Sequence, residues 1–365
     1  LNNCSLRPEQ ALAGGGWVKW IAGASNQDLA AIEDLAGIYA LAGAHCLDLA
    51  ADPAVVAAAR RGVAWAERQR GRPWGADRPW LMLSLSDGAD PHFRKAWFDP
   101  RRCPPDCVRP CERVCPALAI DASGVVAERC YGCGRCLPAC PLGLIHEHSQ
   151  VLAAEAMPTL LRQLQPDAIE LHTQPGRVEA FAARLDQLAA SGVRLWRLAV
   201  SAGADVSPAE LWQRYVLVRR HGLQPLWQLD GRPMSGDVGA GTARAAVRLL
   251  AERLAAMPPG PVQLAGGTND RTWPLLQRRG ALARHCAGVA FGGVARSLLQ
   301  PLLLAAQQRR RSLLADAELW PQALHQARAL LAPWLERGQF SLPGPLSRDA
   351  RAAALAARPG HTIYN

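Results

Sequence analysis

Short apolar runs alternate with stretches of helical period along most of this chain, and the alternation repeats eight times. Trp17 to Gly23 predicts a first strand, with Ser25 and Asn26 as the cap of an amphipathic helix reaching Ala42. Cys46 to Ala50 predicts a second strand, Pro53 opens the next helix, and Trp80 to Ser86 predicts a third strand. The pattern then breaks and resumes with a helix over 157–165. Strands follow at Ala168 to His172, Leu195 to Val200, Pro225 to Leu229, Pro261 to Ala265 and Gly288 to Phe291. Helices separate them over 177–190, from Pro208 to near Gly222, over 242–256 and over 271–284. The expectation is an α/β protein built on a TIM-like (β/α)8 barrel. An open doubly wound sheet has the same local pattern. The pairs Gly266-Gly267 and Gly292-Gly293 favour closure, because they follow the seventh and eighth strands, where barrels often bind a phosphate on backbone N–H groups. Tight turns alone also call for glycine there.

The break in the pattern holds eight of the chain's eleven cysteines, between Cys103 and Cys140. In a long chain without a secretory signal, that density points to metal rather than disulfides. Cys130, Cys133, Cys136 and Cys140, followed by Pro141, form the C-x2-C-x2-C-x3-C-P run of bacterial ferredoxins. A zinc site needs neither the third close cysteine nor the trailing Cys-Pro. Cys103, Cys107, Cys111 and Cys115, followed by Pro116, keep the final spacing but widen both earlier gaps to three residues. Ala119 to Glu128 predicts a hairpin turning near Ser123-Gly124, so the segment is a ferredoxin-like insertion for two [4Fe-4S] clusters. The likeness to the ferredoxin repeat implies crossed ligation. One cluster takes Cys103, Cys107, Cys111 and Cys140, the other Cys130, Cys133, Cys136 and Cys115. The wide spacing leaves a [3Fe-4S] or labile first cluster open. The expected division is barrel over 14–97, insertion over 98–149, barrel again over 150–306, and a tail over 307–365. The tail is expected to be helical to about Leu335 and then to turn at Leu342 to Pro345, ending in a short alanine-rich helix.

Composition changes little in this picture. Hydrophobic residues at 49% and charged residues at 20% suit a large core and exclude disorder. The formal charge of +10 comes almost wholly from scattered arginines, and two clusters with their thiolates would lower it to about +6. It names no partner, and nucleic acid is not expected. No apolar run is long enough to span a membrane, so a cytoplasmic protein is expected.

At or near the predicted strand ends stand Asp48, Asp52, Ser84, Asp87, Glu170, His172, Ser201, Asp230 and Asn269. His172 suits a general base, although a capping or core histidine is the commoner case. The loop from Asp230 to Thr242 is rich in glycine but lacks the Gly-Lys-Ser/Thr ending of a nucleotide P-loop. No pair of groups is specific enough to assign catalysis.

Three features resemble the cyanobacterial light-dependent period modulator (LdpA) family. They are Pro-Asp-Cys107-x-Arg-Pro-Cys111, Arg-Cys130-Tyr-Gly-Cys133-Gly-Arg-Cys136 and the loop Gly231-Arg-Pro-Met-Ser-Gly-Asp237. They lie in one order across most of residues 17–300. The resemblance implies an iron–sulfur protein that reports cellular redox state to the circadian clock through contacts with clock proteins. The alternative is a barrel oxidoreductase whose clusters pass electrons to a flavin or other phosphate-bearing ligand on the glycine turns, or exchange them with an electron-transfer partner.

Overall fold

In a computed structural model the chain is described over residues 6–149, 152–153, 155–232 and 241–337. Eight parallel strands close into a barrel: β1 (Trp17–Ile21), β2 (Cys46–Ala50), β3 (Trp80–Ser86), β4 (Ala168–His172), β5 (Arg197–Ser201), β6 (Pro225–Asp230), β7 (Val262–Ala265) and β8 (Gly288–Phe291). Each pairs with its neighbours in sequence, and β1 closes on β8 with Trp17 opposite Gly288. The closed barrel expected from the alternation is therefore present.

Closure follows from strands whose two faces are both buried, by side chains inside and helices outside. The outward residues Val18, Leu47, Leu83, Ile169, Val200 and Leu229 join the main core under the surrounding helices. The inward set at the N-terminal end is separate: Trp17, Cys46, Trp80, Met82, Ala168, Ala199 and Leu226. A helix at Pro8–Gly14, not anticipated from the sequence, plugs that end with Ala11 and Leu12. Its packing closes the N-terminal end of the barrel, opposite the C-terminal mouth.

Some boundaries differ from expectation for local reasons. The first long helix, Leu29–Ala42, is capped by Asp28, whose carboxylate accepts from Ala31 N–H at 3.2 Å. Asn26 instead turns back, donating to the Ala22 carbonyl. The helix expected over 271–284 divides into Thr272–Gln277 and a 3-10 turn at Gly280–His285.

The cysteine segment leaves the C-terminal end of β3, and the chain rejoins the barrel at the helix Met157–Leu164. Its ends are clasped by antiparallel strands, Arg94–Trp97 against His146–Ser149. Inside lie the short helices Pro110–Arg113 and Cys136–Ala139 and a small hairpin pairing Ile120 with Val125. The module docks on the mouth through Gln27 N–H to the Glu128 carbonyl at 2.9 Å and Lys95 to Gln27 at 2.7 Å. The Arg296 guanidinium also stacks 3.9 Å from the Tyr131 ring centre.

After the barrel, helices Gly293–Gln308 and Leu319–Leu335 pack outside it, tied down by Asp34 accepting from the Leu313 and Leu314 N–H groups. The turn at Leu342 to Pro345 and the alanine-rich helix lie outside the described residues. Among the described residues no helix is long and apolar enough to cross a membrane.

Candidate functional site

None of the eight clustered cysteines is in a disulfide among the described residues; Cys111, Cys130 and Cys136 are buried in the module's core with Ala96, Phe98, Ala119, Ile120 and Ile145, and Cys103, Cys115 and Cys140 pack against it. A segment this small with so few apolar residues does not hold its fold by burial alone. Cys103, Cys107, Cys111 and Cys140 line one cavity with Phe98, Pro110 and Ile145. Cys115 stands instead with Cys130, Cys133 and Cys136. The Cys136 thiol is pushed up to about 12, by burial first and then by the neighbouring Cys133, Cys130 and Cys115. Crowding four ionisable sulfurs in a buried place is unfavourable unless a cationic core balances them. Two sets of four thiols thus fit two iron–sulfur groups. Ala96 N–H points at Cys130 Sγ (3.4 Å) and Ala119 N–H at Cys115 Sγ (3.2 Å), contacts of the kind that stabilise thiolates and set potentials.

The two loops reach this arrangement differently. In the second motif Gly132 and Gly134 take left-handed φ values of 73°, and a Cβ at Gly132 would collide with the Arg94 carbonyl. The first motif has no glycine. Its extra residues are accommodated at Arg109, held at φ 48° before Pro110, a conformation costing a non-glycine residue about 1–2 kcal/mol.

Below the module, the centre of the barrel is polar. Lys19 donates to Asp48 at 2.7 Å and pairs with Glu170. Gln228 donates to Glu170, Gln263 to Gln228 at 2.8 Å, and Trp17 Nε1 to Gln263 at 2.7 Å. Burial would lower the Lys19 pKa, but the charges of Asp48 and Glu170 outweigh it and raise it. Asp48 is pushed up to about 7 by burial, against the pull of Lys19 and with Glu170 adding to the rise. One ammonium faces two carboxylates, and burial favours the protonated form of Asp48.

Above this layer opens a cavity of about 480 Å³. Its floor carries Glu170, His172, Gln228 and Asp230; its sides carry Gly266, Gly267, Gly292, Gly293 and Arg232; its roof is Tyr131, Cys133 and Arg135 of the module. Asp230 is pushed up to about 6 by burial, despite nearby His92 and Lys19. His172 is pushed down to about 3, by burial first and then by His92. His92 lies against it, ring centres 4.6 Å apart, and its Nδ1 is 2.7 Å from Asp90.

The four glycines play two different parts. Gly266 and Gly267 are left-handed (φ 57° and 89°), and a Cβ at Gly267 would lie 2.8 Å from Thr242 Cβ, so the turn itself requires them. A Cβ at Gly293 would meet nothing within 4 Å. That glycine begins the helix Gly293–Gln308, whose first turn lines the cavity.

Of the polar residues flagged near strand ends, His172, Asp230, Glu170, Ser84 and Asn269 line the cavity. Asp48 and Glu170 lie at mid-strand in the barrel interior rather than at its rim. Asp52 caps the helix Pro53–Arg70, and Asp87 faces Arg177 at 3.4 Å. The Ser201 hydroxyl is buried outside the cavity. Most of the loop from Asp230 to Thr242 lies outside the described residues. Sequence reasoning missed Asp90, His92, Tyr131, Arg135 and Arg296 as one site, and Gln228 and Gln263 as one network. For the glutamines a signal existed: a polar residue at the centre of an otherwise apolar strand.

Two family models and a curated relative match this chain. Residues 103–151 match a family model described as the LdpA Fe-S cluster-binding domain, and residues 160–333 match the Light dependent period A C-terminal domain. A protein of Synechococcus elongatus named Light dependent period A is 52% identical over 332 residues, covering 89% of this chain and 93% of that protein. Among solved structures, a 3-hexulose-6-phosphate synthase superposes with a TM-score of 0.35 at 11% identity, over 86% of this chain and 98% of that one.

Proposed function

The chain belongs to the light dependent period A family, and from that premise we propose that it is an iron–sulfur redox sensor acting on circadian clock proteins by contact. Two [4Fe-4S] groups would be held in crossed fashion, one by Cys103, Cys107, Cys111 and Cys140, the other by Cys115, Cys130, Cys133 and Cys136. When bound they supply reversible one-electron transfer. The module would span residues 98–149, set between barrel segments 14–97 and 150–306, with 307–365 as a tail, in a cytoplasmic protein.

One observation carries the reading. Cys133 and the adjacent Tyr131 belong at once to the cysteine module and to the wall of the barrel cavity. A change of one unit of charge at that thiol set is therefore felt at the mouth, where low-dielectric walls strengthen it. Arg296 and Tyr131 provide the mechanical link, and Lys95 and Gln27 hold the module in place.

The second reading, an oxidoreductase, draws on the same cavity. It has the volume for a phosphate-bearing ligand such as a flavin, and Gly292, Gly293, Gly266 and Gly267 with Arg232 offer an anion cradle. Asp230, held near 6, would move protons there.

Preparation without oxygen should yield about eight iron and eight acid-labile sulfide per chain. Zinc in their place, or about four irons after full reconstitution, would overturn the two-cluster assignment. Affinity for clock proteins, measured under argon with the protein oxidised and then reduced, should differ about tenfold, or about 1.4 kcal/mol. Equal affinities, with a tightly held flavin that turns over a small substrate, would replace the sensor by the oxidoreductase.

A further inference from the structure

Asp90, His92 and His172 each present one ligand atom within 4.8 Å of the other two, at the edge of the cavity floor. Asp90 and His92 lie on the loop leading from β3 into the cysteine module, and His172 ends β4, so the cluster joins the module's entry to the barrel. We propose that these three side chains bind a divalent first-row metal ion, separate from the cysteine sites, with coordination positions open to an oxygen-donor ligand in the cavity.

The bland alternative is an Asp90–His92 ion pair stacked on a core histidine. It leaves His172 unexplained. That imidazole is 4% exposed, and among the described residues its Nε2 has no hydrogen-bond partner although Glu170 Oε1 lies 3.1 Å away, out of line. A buried ring nitrogen without a partner is costly unless something else takes its lone pair. His172 is held neutral by burial, the form that ligates a metal. Asp90 is held well below the ordinary carboxylate range: burial opposes this, but the hydrogen bond from His92 prevails.

The surroundings suit a cation. Gln174 donates to Asp90 and fixes its orientation, as outer partners of metal ligands do. Glu170 and Asp230 add negative charge nearby. Two imidazoles and one carboxylate select a first-row ion over magnesium or calcium, which prefer all-oxygen sets. A tetrahedral ion would draw the three atoms to about 3.3 Å from one another. With three protein ligands the site is of the open kind, and His92 and His172 both face the cavity.

The test uses the full chain with its cysteine sites loaded under argon and Zn2+ as probe. Equilibrium dialysis at micromolar free zinc, followed by elemental analysis, should find one zinc per chain beyond the iron. Asp90→Asn and His172→Gln should each weaken zinc binding at least ~100-fold with iron content and visible absorbance unchanged. Should His172→Gln fail to fold, His92→Asn, at a partly exposed position, gives the same readout. No zinc on the wild-type protein, or equal zinc on the variants, would overturn the site. Neither result bears on the redox reading, which rests on the cysteines and on partner affinity.

Discussion

Lys19 is completely buried and faces two carboxylates, so removing it should harm the protein more than its single charge suggests. Lys19→Met would leave Asp48 and Glu170 buried without a cation and should cost about 3–5 kcal/mol near pH 8. Asp48 gives the complementary test. Its carboxyl titrates near 7 in the folded protein against an ordinary value of 3.8, so the folded state keeps a proton that the unfolded chain releases. The resulting stability is fully present below the unfolded value and is lost as pH rises through about 7. Urea denaturation followed by tryptophan fluorescence should show that decline between pH 5.5 and 7.5. Asp48→Asn, which imitates the protonated form, should flatten it; an unchanged slope would remove the shared proton. Asp48 and Glu170 stood out in the sequence as polar residues, though they were placed at strand ends. That they meet one lysine was not visible, because Lys19 and Glu170 are 151 positions apart and meet only when the barrel closes.

At the scale of elements, the paired helices Pro110–Arg113 and Cys136–Ala139 with the hairpin between them decide which thiols share a site. Each helix carries its last cysteine away from its own motif. Cys140→Ser should therefore disturb the group held by Cys103, Cys107 and Cys111, and Cys115→Ser the group held by Cys130, Cys133 and Cys136. Paramagnetic resonance of the reduced variants reads this directly, and loss of each motif's own signal would refute the crossing. The strands and most helices of the barrel were legible because each strand is a short run rich in apolar residues and the helices between them keep their period. The helix Pro8–Gly14 was not. Pro8, Ala11 and Leu12 of it are buried, and seven residues carry too little periodicity to register.

Across the whole molecule, the cavity forms only where three distant parts of the chain meet: Tyr131 and Cys133 from the insertion, His172 and Asp230 from strand ends, and Gly293 to Arg296 from the last barrel helix. Motif spacing made the cysteines legible. The cavity was illegible, since nothing local links Arg296 to Tyr131 across 165 positions. That contact also offers a way to separate sensing from folding. Arg296 holds the Ala22 carbonyl at the end of β1 and stacks on Tyr131, so it bridges barrel and module in a desolvated place, where a cation–π contact contributes about 2 kcal/mol. A coupling between two sites cannot exceed the difference in interaction that connects them. The expected tenfold redox dependence of partner affinity, about 1.4 kcal/mol, lies within what this contact can transmit. Arg296→Ala should then bring the oxidised and reduced affinities to within about twofold of each other, with iron content and visible absorbance kept. Arg296→Lys, which keeps the charge and loses the planar stack, should retain only part of the dependence. A full tenfold difference in Arg296→Ala would mean that charge at Cys133 acts through the cavity alone and that the stack merely docks the module.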